Sequence, residues 1–296
     1  MKGQKINKDL IEGLKLQRSP GGNKGSFGQL LVLAGSKYMT GAPCLTVSAA
    51  LRSGTGLVKL FTSDEAMASV KVNCPCAILA SSDGKDYLSD LDASLKRSST
   101  VAIGPGLDIR DPKNISMLGY VIDNSKRLVI DASALTLLAR QGEEGLKRLK
   151  ERPLKGLEPA VLTPHIGEFK RFGYGDFDFE DIESDKLSDL ALRFASDNDC
   201  VLVLKNHVTL LTTPEGKCYY IKGDNSGMAK GGSGDVPTGL IGGFMASGMS
   251  GENAALCGVY IHQKAGELAS SDLGEIFMLP SDLIDRLTNV YEGLGW

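Results

Sequence analysis

The chain has 296 residues, a formal net charge of −3, 42% apolar and 23% charged residues, and 36 glycines. This composition builds an ordinary soluble core; it excludes a disordered chain, which is poorer in aliphatics, and a collagen, which carries a Gly-X-Y period. Lys and Arg (33) nearly balance Asp and Glu (36), which argues against a nucleic-acid binder with its concentrated basic face.

Residues 1–10 carry charges but no apolar h-region, so no secretory signal is expected. Residues 1 to about 20 read as an N-terminal arm. Short aliphatic runs then recur: Leu30–Ala34, Leu57–Phe61, Val101–Ile103, Leu128–Ile130, Val161–Leu162 and Val201–Leu204. Near-continuous aliphatics of this kind are the mark of parallel strands buried on both faces. Helical patterns usually follow them, which predicts βαβ units and a layered α/β fold with a mostly parallel sheet. After Leu204 the pattern changes. Thr209–Thr213 and Lys217–Ile221, joined by Pro214-Glu-Gly216, predict a hairpin and thus an antiparallel edge. The last third reads as helices over Asp235–Ser247, Glu252–Ala269 and Pro280–Tyr291. No low-complexity linker or internal repeat interrupts 1–296, so one domain is expected. No run of about 18 apolar residues is present, so no membrane helix is expected; the expected location is cytoplasmic. The six cysteines (44, 74, 76, 200, 218, 257) form no C-x-x-C and read as core residues rather than a zinc site or disulfide framework.

Glycine, at about 12% against roughly 7% in average usage, is clustered in 21–56, at Gly104 and Gly106, and in 223–248. Clustered glycine is read as backbone pressed against a ligand. The P-loop pattern is absent, and Gly104-Pro-Gly106 lacks the third glycine of a dinucleotide fingerprint because Ile109 stands there.

The segment 227–239 packs five glycines ahead of an apolar helix. Free N–H groups of Gly231, Gly232, Ser233 and Gly234, with the positive helix end, suit a phosphate. Pro237 fits the first helical turn. Asp235 has two readings there. It is a general base taking a proton during phosphoryl transfer, or it is a helix cap. Thr163-Pro-His-Ile-Gly-Glu168 follows a strand. One reading puts His165 on the ligand and Glu168 near a magnesium-bound phosphate; the other is a Pro-led turn with Glu168 in a helix's first turn. Small residues around Gly41 and Ala42 allow either ligand approach or tight helix–sheet packing. The turn Lys205, Asn206, His207, Val208, Thr209 holds an adenosine or a phosphate, or Lys205 is a solvated strand end.

In this order the segments resemble the NAD(P)H-hydrate dehydratase family of the ribokinase-like superfamily, over about Lys24 to Gly248. The pieces that carry the resemblance are Lys24-Gly-Ser-Phe-Gly28 with Leu33-Ala-Gly-Ser36, Ala49–Val58, Gly104-Pro-Gly-Leu107, Asp131-Ala-Ser-Ala-Leu135, Thr163–Glu168 and Gly227–Asp235. The resemblance implies a three-layer α/β/α fold. It implies ADP-dependent (or ATP-dependent) dehydration of the S-epimer of hydrated NADH or NADPH, with Mg²⁺, releasing AMP and phosphate. Asp235 is then the base. Ala42, Gly106, His165 and Asp235 touch the hydrated dinucleotide; Lys205–Thr209 and Gly234 hold the adenosine nucleotide. A homotetramer is implied too. Three positions depart from the pattern: Ser133 for a second Asp, Asn206 for a glycine, and Pro237 for an aliphatic. Asn206 is expected to tolerate left-handed backbone there. The alternatives are a thiamine-precursor type kinase of the same superfamily and a nucleotide-binding protein without turnover.

Overall fold

A computed structural model of the chain describes residues 2–175, 177–178 and 183–296. The chain opens with β1 (Gln4–Lys5) and α1 (Lys8–Glu12), the latter capped by the Asn7 side chain. Next come β2 (Gln29–Leu33), α2 (Gly41–Leu51), β3 (Leu57–Thr62), α3 (Asp64–Asn73), β4 (Ile78–Ser81) and α4 (Tyr87–Leu95). They are followed by β5 (Thr100–Ile103), α5 (Pro112–Asn124), β6 (Leu128–Ile130), α6 (Ala132–Arg140), α7 (Gly142–Lys150), β7 (Ala160–Leu162) and α8 (Ile166–Lys170). The last third holds α9 (Asp185–Asp197), β8 (Cys200–Leu204), β9 (Val208–Thr212), β10 (Cys218–Lys222), α10 (Asp235–Ala246), α11 (Gly251–Leu273) and α12 (Pro280–Gly293).

Among the described residues the strands form one sheet in the order β1-β10-β9-β8-β7-β6-β5-β2-β3-β4. From β4 to β8 every neighbouring pair is parallel. β9 runs antiparallel to both β8 and β10, as the hairpin reading expected. β1 pairs in parallel outside β10, and Ile6 and Ile11 of the N-terminal segment are buried. The aliphatic runs explain the layering. Along β2, Leu30 and Val32 face one core while Leu31 and Leu33 face the other. α2, α10, α11 and α12 cover the first face, and α5, α6 and α9 the second. Both faces are buried, and each fully buried Leu or Val contributes roughly 1.5–3 kcal/mol. No helix of the described residues is long and apolar enough to cross a membrane.

Two elements escaped the sequence reading for physical reasons. β1 is two residues long and exposed, too short to show a period. β4 is the opposite edge strand and is only half-buried, so it lacks the aliphatic density of its neighbours.

The glycine clusters prove to serve the fold as much as any ligand. A Cβ on Gly239 would meet the Thr46 carbonyl at 2.1 Å, and one on Gly243 would meet Ser53 Oγ at 1.8 Å. These glycines let α10 lie directly on α2. Lys24–Gly28 lies at the amino end of β2, away from the strand ends that carry the site. Its Gly28 instead admits the Ala246 carbonyl, 1.8 Å from where a Cβ would stand.

Candidate active site

In an open α/β sheet, ligands settle at the carboxyl ends of the strands where the chain's direction of travel across the sheet reverses. Here that point lies between β2 and β5, since β3 was added on one side of β2 and β5 on the other. The segments after β2, β5, β6, β7 and β8 carry Gly35, Gly104–Gly106, Asp131, Thr163–His165 and Lys205. Hydrogen bonds knit them together. Gly35 N–H donates to Pro105 O (2.8 Å), Thr163 N–H to Ile130 O (3.1 Å), and Lys205 N–H to Pro164 O (2.8 Å).

The glycine-rich turn leads into α10 above these ends. Gly234 is the residue at the cap position, and it has no capping side chain. Asp235 is the first helical residue, and among the described residues its carboxylate accepts no hydrogen bond. The capping reading therefore fails. Pro237 stands third in the helix, where an N–H has no intrahelical acceptor. Gly231, Gly232 and Gly234 keep free N–H groups among the described residues, whereas Ser233 N–H is spent on Lys230 O at 3.1 Å. The Ser233 hydroxyl is buried without a partner.

Burial pushes the Asp235 carboxyl up to about 7; the charges of Asp131 and Glu168 add to this, and Lys205 opposes it. A carboxylate poised near neutrality, with no internal partner, beside donors that suit phosphate is what a general base requires.

Asp131 carries no site role in the sequence reading, yet it sits at the centre of the cluster. It is 1% exposed. Its Oδ1 accepts from Lys205 Nζ (2.8 Å) and its Oδ2 from Thr238 Oγ1 (2.5 Å). Lys205 thus is no solvated strand end. Its Nζ lies 3.2 Å from where a Cβ on Gly234 would stand. The next residue, Ala132, has φ of 48°, a left-handed conformation that alanine adopts only under constraint. Asn206, expected to tolerate that region, does not use it: the described non-glycine residues with positive φ are Ala132 and Asp199. Asn206 Oδ1 instead accepts from His207 N–H at 2.7 Å.

His165 opens α8. Its Nδ1 accepts from Gly167 N–H (3.0 Å) and Glu168 N–H (3.3 Å), and Glu168 Oε2 accepts from His165 N–H (2.9 Å). This reciprocal cap requires Nδ1 to be an acceptor, so the neutral ring carries its proton on Nε2. The His165 side chain is 57% exposed, which leaves its other edge open. Glu168 is buried, and its Oε1 stands 3.6 Å from His165 Nε2. It retains one oxygen for another partner. Among the described residues no group of three His, Cys, Asp or Glu side chains is disposed to hold a metal ion.

A cavity of about 790 Å³ opens beside Gly234. Its walls include Thr163, His165, Lys205, Asn206, His207, Thr209, Ser233 and Gly234. Val208 is buried at the start of β9, so its side chain belongs to the core. Ala42, in the first turn of α2, and Gly106 lie outside this cavity. They are neighbours, since a Cβ on Gly106 would stand 3.0 Å from Ala42 Cβ. His262 of α11 also lines the cavity, which the sequence reading missed. Burial, with the Lys205 charge, pushes His262 down to about 4, so the ring is neutral. Ser133 stands in the first turn of α6, and nothing in the structure gives it a part in the cluster.

A family model for NAD(P)H-hydrate dehydratase matches residues 30–289. The bifunctional NAD(P)H-hydrate repair enzyme of Moorella thermoacetica is 34% identical over 94% of this chain and 52% of its own. The chain thus spans about half the length of the bifunctional relatives it matches. The ADP-dependent (S)-NAD(P)H-hydrate dehydratase of Xanthomonas campestris is 30% identical over 99% of both chains. Among solved structures, the ADP/ATP-dependent NAD(P)H-hydrate dehydratase of Bacillus subtilis, co-crystallised with ATP and Mg²⁺, superposes with a TM-score of 0.82 at 27% identity, covering 99% of each chain. The three-layer fold is ribokinase-like. The chain belongs to the NAD(P)H-hydrate dehydratase family.

Proposed function

We propose that the chain removes water from the S-epimer of hydrated NADH or NADPH with consumption of ADP, yielding NAD(P)H, AMP and phosphate. The observation that carries this is Asp235: a carboxylate raised to about 7, without a hydrogen-bond partner, at the positive end of α10. Hydroxide is a poor leaving group at neutral pH. Asp235 takes the proton of the substrate hydroxyl as its oxygen attacks the terminal phosphorus of ADP, and AMP leaves. The phosphorylated carbon then loses phosphate, a neighbouring carbon loses a proton, and the ring double bond is restored. A base so placed contributes typically ~10²–10⁴-fold.

The turn 205–209 and Gly234 hold the nucleotide, with the Gly231, Gly232 and Gly234 N–H groups on its phosphates. Ala42, Gly106 and His165 hold the hydrated dinucleotide. Magnesium supplies charge neutralisation on the phosphates, with Glu168 as its indirect protein partner. The same reading makes the chain a cytoplasmic homo-oligomer, a tetramer as the family resemblance implies.

The test is recovery of the near-ultraviolet absorbance of reduced nicotinamide from a purified hydrate, with ADP and ATP in parallel. Recovery is expected with both and faster with ADP. No recovery with either nucleotide removes the reading, and faster turnover with ATP removes the ADP preference.

His165 has a separable test, because it caps α8 as well as facing the cavity. His165→Ala is expected to lose about 1 kcal/mol of stability, whereas Asn restores the cap. Both variants are expected to raise the KM for the hydrate about tenfold, the worth of one hydrogen bond. A wild-type KM in His165→Asn would confine His165 to capping.

A further inference from the structure

Three elements distant in sequence meet on one buried carboxylate. Asp131 directly follows β6, Lys205 directly follows β8, and Thr238 lies in the first turn of α10. Asp131 and Thr238 are 107 positions apart and Asp131 and Lys205 are 74 apart. Each Asp131 oxygen has one donor, Nζ at 2.8 Å and Oγ1 at 2.5 Å. Thr238 Oγ1 also stands 3.3 Å from the carbonyl of Gly234, which lines the cavity. The Lys205 side chain is only 21% exposed. A long, flexible ammonium in such a place takes a fixed position only when an anion holds it, because burial without a partner is costly.

We propose that Asp131 is a positioning residue for the nucleotide: it fixes the Lys205 ammonium beside Gly234 and ties the first turn of α10 to the end of β6. Its own oxygens are both engaged, so it does not touch the phosphates. Lys205 meets them, and Asp131 sets where Lys205 stands. The Thr238 tie holds the Gly231–Gly234 donors at the same height, so that the point charge and the backbone N–H groups converge on one phosphate. This inference rests on the reading of the cavity as the ADP site.

The experiment measures ADP affinity by calorimetry on the full chain, without the hydrate, for wild type, Asp131→Asn, Lys205→Met and the double variant, with a melting curve for each. Asp131→Asn is expected to weaken ADP ten- to hundredfold, the range for a hydrogen bond to a charged group. The double variant is expected to be no weaker than Lys205→Met by more than about threefold, because both changes remove the same phosphate contact. A merely structural aspartate would give multiplying losses, and that result overturns the proposal. Wild-type affinity in Asp131→Asn overturns it as well. Thr238→Val keeps the side chain's volume and frees one Asp131 oxygen; it answers the question if Asp131→Asn does not fold. It is expected to weaken ADP about threefold or more, for a neutral donor lost, and unchanged affinity in it counts against the proposal. Failure of the wild-type chain to bind ADP at all would be a failure of the site reading instead.

Discussion

Asp235→Asn is expected to bind ADP within about threefold of wild type and to lose at least ~10²-fold in the rate of hydrate repair. Asparagine keeps the shape and removes the proton acceptor. Since the capping position belongs to Gly234, the exchange removes no cap from the helix. The pH profile of the wild type follows from the same group. The base works ionised, so kcat/KM falls as pH drops through the free-enzyme value of about 7 and is flat above it. Bound nucleotide brings further negative charge, which disfavours ionisation, so the corresponding limb in kcat moves to higher pH. Stability moves the other way. The carboxyl is raised in the folded chain from 3.8 to about 7. Its contribution is therefore present below pH 3.8 and is lost as pH rises through 7. Asp235→Asn escapes that loss. It is expected to melt higher than wild type at pH 8 and not at pH 4. An inactive variant that is also less stable at pH 8 would show that Asp235 supports the fold and would end its assignment as the base.

How much of this was legible beforehand depends on the range over which each feature is encoded. The parallel strands were visible because each is a local aliphatic run buried on both faces, as at Leu128–Ile130. Asp235 was visible because five glycines and a helix start surround it within thirteen residues. Its role was not settled there, since a cap and a base occupy adjacent positions, and only the fold puts Gly234 in the capping place. Asp131 and His262 were invisible as site residues for the opposite reason. Asp131 acquires its meaning from Lys205 and Thr238, which no short spacing links to it. His262 lies in an otherwise ordinary apolar helix, and its place in the cavity is set by how α11 packs. The glycine clusters were over-read. Ligand approach and helix contact both demand a missing Cβ, so the sequence cannot separate Gly234 from Gly239. The sheet distinguishes them, because Gly239 is filled from below by the Thr46 carbonyl.

Gly104→Ala is expected to cost the most stability of any single methyl group added near the site. Gly104 follows β5, with φ of 133°, a conformation nearly closed to residues with a Cβ. Its N–H donates to Leu33 O at 3.0 Å, and Asp131 N–H donates to Ile103 O at 3.0 Å, so the backbone is clamped to β2 and β6 on either side. A Cβ would stand 1.8 Å from the Asp131 carbonyl oxygen. Both partners are backbone, and neither has a rotamer with which to escape. Overpacking of a core typically costs about 1–3 kcal/mol and forced backbone strain about 1–3 kcal/mol, so a loss of about 2–6 kcal/mol is expected. The control is Gly142→Ala. Gly142 also has positive φ, 55°, but nothing lies within 4 Å of its would-be Cβ, so it reports backbone strain alone, about 1–2 kcal/mol. Denaturant midpoints for the two variants separate the contributions. The excess in Gly104→Ala measures the clash with Asp131 together with the larger strain of φ at 133° than at 55°. Whatever folded protein remains must displace that residue, and Lys205 with it, so ADP affinity falls together with stability. A Gly104→Ala protein as stable as Gly142→Ala would mean that β5 and β6 can part at Asp131 without cost. The rigid strand ends would then no longer explain how one carboxylate holds the phosphate site in place.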